Sequence, residues 1–396
     1  MMPNVVDLQA WKGRLSVSKQ GVKKTVTNLL MYLENLPEFG DKLRWNSLAH
    51  NVEWNGRELE EHQLIDIRVI LEAHQFEPQK GDLLPAVISH ARARSYHPIT
   101  DYLETLKWDG TKRLDHWLRV CMGAPDSPFV RAVGRKTLIS AVARAFEPGC
   151  KVDTILIFEG PQGIRKSTAI ATLFSPALTM ETVNLFDQHN KMVMNMMGKW
   201  CVELAEFTAA LRKDEDSVKG LVSMRTDRVA LPYAKTSTDH PRSVIFIGTY
   251  NPDGMGYFND TTGNRRYWPV PVTKANIEKI AEVRDQLWAE AVELYRSGEQ
   301  WWLTDEEEGL AKAEVEKRES IDVWQEILFE KLVRGGVVST SVGAALKEIG
   351  VPPERMDKKA RNRAAKVLRN LGYIPDDKPT KDEERRSIRI FRRPPE

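Results

Sequence analysis

The chain has 396 residues, enough for two or three domains and a well-buried core. Apolar residues make up 41% and charged residues 29%, which excludes a disordered chain, and 58 Lys+Arg against 56 Asp+Glu leave a net charge of +2, so any nucleic-acid contact must come from local clusters. Three scattered cysteines (Cys121, Cys150, Cys201) form no CxxC pair or zinc spacing, the first residues lack a signal-peptide core, and no run approaches the roughly 20 apolar residues of a membrane span. The expectation is a reducing, cytoplasmic, soluble protein without a membrane partner.

The first part of the chain reads as mostly helical. Val26, Leu29, Leu30, Tyr32 and Leu33 keep a loose helical spacing. Leu64, Ile67, Ile70 and Leu71 share a face within Glu60–His74, and Leu84, Val87, Ile88 and Ala91 share another. Pro98 and Gly110 punctuate a turn–helix–turn stretch. A helical N-terminal domain over 1–128 follows. From Asp153 the pattern changes to short apolar, β-branched runs, DTILIF, WCVEL and SVIFIGT, alternating with helical segments. That alternation predicts an α/β domain over 129–315, closed by a helix from about Ala275 to Ser297. A third unit, 321–396, reads helix (322–333), helix (340–349), helix (357–371) and a hairpin, which is winged-helix order.

The sharpest motif is Gly160-Pro161-Gln162-Gly163-Ile164-Arg165-Lys166-Ser167-Thr168, between a strand and a helix. Such a loop wraps a β-phosphate with backbone N–H groups at a helix N-terminus. Lys166 would reach the β- and γ-phosphates and the Ser167 hydroxyl would hold Mg²⁺. Arg165 stands where the consensus has glycine; it could crowd the loop or add a second cation.

Trp200-Cys201-Val202-Glu203-Leu204-Ala205-Glu206 supplies two acids, Glu203 and Glu206, for a strand end beside the phosphates. Two exposed helix glutamates would be the plain alternative. Asn251, at the tip of the third run, could bind a γ-phosphate or its attacking water, or open a turn before Pro252. Arg265 and Arg266, after a glycine turn, suit an arginine finger or a surface loop.

These segments together resemble the virulence-associated protein E family of phage and prophage ATPases, near the superfamily 3 helicases and the helicase halves of phage primase–helicases. The marks are YHPITDYLETLKWDGTKRLDHWL (96–118), SAVARAFEPGCKVD (140–153), EGPQGIRKST (159–168), WCVELAEF (200–207), GTYN (248–251) and TGNRRYWPV (262–270). The resemblance implies an AAA+-like core of superfamily 3 type, ATP and Mg²⁺ as cofactors, and a homo-oligomeric ring, a hexamer among the options. It matches Lys166 and Ser167 to the Walker A pair, Glu203 to the Walker B acid, Glu206 to a second acid and Asn251 to the sensor. One of Arg265 and Arg266 would be the finger. It also implies a DNA-contacting hairpin within 219–235, with Arg225, Arg228 and Lys235 as phosphate contacts. DNA, single-stranded or forked, is the implied partner, with a separate primase or host replication proteins beside it.

Residues 355–373 carry seven Lys/Arg and one Asp, so Lys358, Arg361 and Arg363 are further DNA candidates if the third unit is a winged helix. The functional expectation is an ATP-dependent DNA helicase or ATPase of a phage or mobile element acting in replication. The alternative is a nucleotide-binding or nucleotide-independent DNA-binding initiator or regulator with a degenerate loop at Arg165.

Overall fold

The computed structural model describes residues 10–182, 189–205, 207–230, 236–252, 264–318, 323–381 and 387–394. One compact unit holds those up to 252 together with 265–314; a second holds those from 315 onward. At the centre of the first unit lies a five-stranded sheet of β1 (Ile155–Glu159), β2 (Thr179–Thr182), β3 (Cys201–Leu204), β4 (Ile245–Tyr250) and β5 (Tyr267–Pro271). All neighbours pair in parallel, in the order β5-β1-β4-β3-β2. The three apolar runs expected from sequence are β1, β3 and β4, each buried along its whole length. Helices cover both faces of such a sheet, which is why its strands read as continuous apolar runs.

Three helices matter for the site: α1 (Pro128–Phe146), α2 (Lys166–Phe174) and α3 (Ile277–Arg296). Ser127 caps α1 by accepting from the Val130 N–H, with Pro128 at its first position. Behind α2, the Trp200 and Trp288 rings lie 4.2 Å apart, and Phe174 meets both edge-on. Both indoles are satisfied: Trp200 Nε1 donates to the Ala141 carbonyl and Trp288 Nε1 to the Leu173 carbonyl, each at 2.9 Å.

The N-terminal region has the expected helices at Val26–Asn35, Gln63–Ala73 and Leu83–Arg92. It is not helical alone. Leu43–Asn46, Asn51–Trp54, Arg57–Glu58 and Ser95–Tyr96 form a four-stranded sheet. Strands this short carry too little alternation to announce themselves. One signal was present: Asn55 (φ +55°) and Gly56 (φ +75°) make the tight turn between Trp54 and Arg57, and Asn-Gly favours that turn. Residues Ile99–Ala124, assigned by sequence to the N-terminal domain, pack instead into the core around the parallel sheet. The carboxylate of Glu290, buried on α3, accepts the Arg113 and Leu114 N–H groups at 2.6 and 3.1 Å and so fixes that segment.

The second unit has a helix at Val323–Leu328 that runs on as a π turn over Phe329–Val333, then α4 (Val342–Ile349) and α5 (Lys358–Asn370). Ser339–Ser341, Ile374–Pro375 and Ile390–Arg392 make a three-stranded antiparallel sheet, with a small hairpin of Thr380–Lys381 and Ser387–Ile388. Leu328, Ala345, Val367, Leu368, Tyr373 and Phe391 form its core. Among the described residues no helix is long and apolar enough to cross a membrane. All three cysteines are buried free thiols.

A further hairpin in the first unit, Thr226–Val229 with Thr238–Pro241, stands on a buried ion pair. Arg242 holds Asp227 through two bonds of 2.6 Å and also donates to the Leu221 carbonyl. The two side chains are 2% and 5% exposed. Removing one partner leaves the other charge buried and alone. Asp227→Ala should cost roughly 3–5 kcal/mol in chemical denaturation, and Asp227→Ala with Arg242→Met should recover most of it.

Candidate nucleotide-binding site

The loop after β1 is anchored before it turns. The Gly160 N–H donates to the Tyr250 carbonyl at 3.1 Å, and the Val272 N–H to the Glu159 carbonyl at 2.6 Å. A Cβ on Gly160 would lie 2.3 Å from the Val272 carbonyl oxygen, so only glycine fits there. Lys166 opens α2 and turns its ammonium back into the loop. Its Nζ donates to the carbonyls of Gly160 (2.7 Å) and Pro161 (3.0 Å) and to Asn251 Oδ1 (2.8 Å). Burial lowers the Lys166 pKa, opposed by the nearby Glu203.

Next to it, Ser167 Oγ donates to Glu203 Oε1 at 2.7 Å, and Thr249 Oγ1 to the same oxygen at 2.8 Å. Glu203 is 2% exposed. Burial raises its carboxyl pKa; the two hydroxyl bonds pull it down, Glu181 pushes it up and Lys166 draws it down again. Glu181 stands opposite Glu203 in the parallel register of β2 and β3. The sequence reading missed both Thr249 and Glu181. The strand run ending GTYN held the first in view, but nothing in sequence pairs β2 with β3.

Arg165 adopts the left-handed conformation, φ +64° and ψ +38°, that glycine takes without strain. For an L-residue this costs roughly 1–2 kcal/mol. Its side chain does not crowd the loop. The guanidinium lies 3.9 Å from Glu278 in the first turn of α3, with the side chain 55% exposed. The backbone at this position thus takes the conformation of the consensus glycine despite the substitution.

The paired arginines sit at the other edge of the sheet. Tyr267 registers with Ile155 at the start of β1, whereas the loop follows Glu159 at its end, four residues on, about 13 Å away at 3.3 Å per residue. Arg266 is engaged locally: its Nε donates to Ser223 Oγ at 3.2 Å and lies 3.8 Å from Asp153. Arg265 is exposed and has no hydrogen bond or ion pair among the described residues. Neither belongs to the constellation of Lys166, Ser167, Glu203 and Asn251 in the same chain.

The DNA candidates lie on different elements of the two units. Arg225 donates its Nε to the Gly149 carbonyl at 2.6 Å, and Arg228 pairs with Asp239 across the hairpin at 3.1 Å. On α5, Lys358 is exposed, Arg361 Nε bonds the Met356 carbonyl at 3.0 Å, and the Arg363 guanidinium lies 4.0 Å over the Trp324 ring. Glu206 and Lys235 lie outside the described residues. Among the described residues no cluster of three or more His, Cys, Asp or Glu side chains is placed to hold a metal. A loop magnesium needs only one or two side-chain oxygens beside substrate phosphates, and Ser167 with Glu203 offers that set.

The buried charge of Glu203 gives a pH prediction. A folded carboxyl raised above its unfolded value of 4.5 weakens the fold at pH above the raised value and ceases to do so below the unfolded one. Gln at this position can keep both hydroxyl bonds on Oε1. Glu203→Gln should therefore raise Tm by on the order of 2 °C at about pH 8, and thermal melts should show the gain gone near about pH 4.

Residues 103–320 match the sequence model of the Virulence-associated protein E-like domain. No curated protein matches the chain. Among solved structures, the apo C-terminal region of NrS-1 aligns with TM-score 0.51 at 12% identity, over 89% of this chain and 96% of that one. Two A-form apo structures of the same region align over the same shares at 12% identity, with TM-scores of 0.47 and 0.48. The first of these likenesses speaks to the fold. The family match spans more than half of the residues, including the loop, the acid strand, the asparagine tip and the paired arginines. The chain belongs to the virulence-associated protein E-like family.

Proposed function

We propose that this chain is the ATPase of a DNA motor, a helicase-type enzyme acting in the replication of a phage or other mobile element. The observation that carries the reading is the convergence at one sheet edge of Lys166 with Asn251 and of Ser167 with Glu203 and Thr249. A lysine, a hydroxyl, a buried acid and a polar strand tip are the set that phosphoryl transfer requires. The strand order β5-β1-β4-β3-β2 supports an AAA+-type core. The helix–strand–helix–helix–strand–hairpin–strand order of the second unit supports a winged helix, with Lys358, Arg361 and Arg363 on its recognition helix.

In this reading the loop N–H groups from Gln162 to Thr168 hold the phosphates of ATP. Lys166 neutralises charge on the β- and γ-phosphates by exchanging a loop carbonyl for a phosphate oxygen. Mg²⁺, held by Ser167 and Glu203, would supply further charge neutralisation. Asn251 positions the attacking water, with Glu206 as the second acid. Arg265 is the finger, and because it stands at the sheet edge away from its own loop, it serves the site of a neighbouring copy. A ring of such copies follows, with DNA met by the hairpin that carries Arg228, by Arg225 beside it and by Lys235.

The rival reading, a DNA-binding initiator with an idle loop, rests on Arg165. The direction of its side chain, toward Glu278, counts against it. ATP hydrolysis with and without single-stranded DNA separates the two. The wild type should turn over, faster with DNA, and Lys166→Ala should lose about 100-fold or more. Arg165→Gly should stay within about threefold of wild type, since the backbone already has the glycine conformation. A silent wild type revived by Arg165→Gly would move the support to the initiator. Arg265→Ala should cost about 10³-fold in turnover with Tm unchanged, whereas Arg266→Ala should lower Tm, because among the described residues only the second has partners.

A further inference from the structure

Residues 10–33 contain Lys12, Arg14, Lys19, Lys23 and Lys24 and no acidic residue. They begin as a 3-10 turn (Ala10–Arg14) and a minimal hairpin that pairs Val17–Ser18 with Gly21–Val22, and all five cations are exposed. This arm is built rather than loose. Trp11 and Leu15 are buried in the N-terminal core. The Trp11 ring meets Tyr32 edge-on at 5.0 Å, and Tyr32 stacks on Phe76 at 4.6 Å.

Asn28, itself fully buried, ties both ends of the hairpin down. Its Oδ1 accepts the Ser16 N–H at 3.0 Å, and its Nδ2 donates to the carbonyls of Ser16 (2.9 Å) and Lys23 (2.8 Å). At the tip, Ser18 Oγ donates to the Gly21 carbonyl at 3.2 Å and accepts from the Gln20 N–H at 3.3 Å. Gly21 has φ +109°, which a side chain would strain.

Lys24 pairs with Glu77, and Arg68 pairs with Glu72 and Glu77, so these two acids are already taken. Lys12, Arg14, Lys19 and Lys23 have no ion pair among the described residues. Four unpaired cations on a stapled framework present repeated positive charge whose ordering entropy is already spent in folding. The matching partner is a polymer with regularly repeated negative charge. We infer that this arm grips the phosphodiester backbone of DNA, through residues other than those of the hairpin, of α5 and of the nucleotide loop. The inference rests on the DNA-binding part of the proposed function and is independent of ATP turnover.

The test is equilibrium binding of the full chain, without nucleotide, to a labelled DNA strand of about 30 nucleotides and to its duplex, from about 50 to 200 mM salt. Each phosphate contact contributes about 0.7 to 0.9 to the slope of log K against log salt. The variant Lys12→Ala/Arg14→Ala/Lys19→Ala/Lys23→Ala should lower the slope by about 3 and weaken binding at least about tenfold at low salt. The charge-keeping variant Lys12→Arg/Lys19→Arg/Lys23→Arg should retain the wild-type slope. The larger loss, on strand or on duplex, identifies which form the arm holds. A slope change below about one unit on both forms, in a variant whose melting curve is unaltered, overturns the inference. Should the fourfold variant melt early, Lys19→Ala/Lys23→Ala at the hairpin takes its place, with an expected fall of about 1.5 and the inference overturned below about 0.5. A wild type that binds neither DNA sinks the DNA reading and the arm with it. A wild type that binds, with the slope unmoved by the arm, sinks the arm alone.

Discussion

A carboxylate with 2% exposure must be either protonated or well bonded, and Glu203 meets that constraint by joining three parts of the chain through one oxygen. Ser167 brings the start of α2, Thr249 brings β4, and Glu203 itself brings β3. The Lys166 ammonium beside it is held by two loop carbonyls and by Asn251 from the end of β4. Without these bonds, a buried acid and a buried base would each stand unpaired at the sheet edge. With them, the loop, the acid strand and the polar strand tip take one arrangement.

How far this was legible in sequence depends on the length of the physical signal. The buried central strands β1, β3 and β4 were plain, because strands covered on both faces are unbroken apolar runs. The edge strands were not. β5 carries Pro269 and Pro271, and proline is tolerated where one side of a strand has no neighbour, so its sequence argues against a strand although it is one. β2, with the sequence Thr-Met-Glu-Thr, lies at the opposite edge and has no apolar run at all. Glu181 was missed for that reason.

The site residues divide the same way. Lys166, Ser167, Glu203 and Asn251 were legible because each is part of a local motif, and the structure brings all four together. That Arg265 and Arg266 lie at the far edge could not be read from a motif. It follows from the parallel pairing of β5 with β1, a property of two segments more than a hundred residues apart. Arg165 shows the converse. The sequence marked it as a departure from glycine, but only the backbone angles show that the chain accepts the strain and takes the glycine conformation at this point.

The paired indoles behind α2 have a consequence for how this protein can be watched. Trp200 ends the turn into β3, Trp288 belongs to α3, and their centroids are 4.2 Å apart, close enough for their excited states to couple. Trp288 donates to the carbonyl of Leu173 in α2, the helix that Lys166 and Ser167 begin. The near-ultraviolet circular dichroism of this pair is therefore tied mechanically to the loop that precedes α2. A shift of α2 alters the angle between two coupled rings, and the protein carries its own optical gauge of that shift without any label attached.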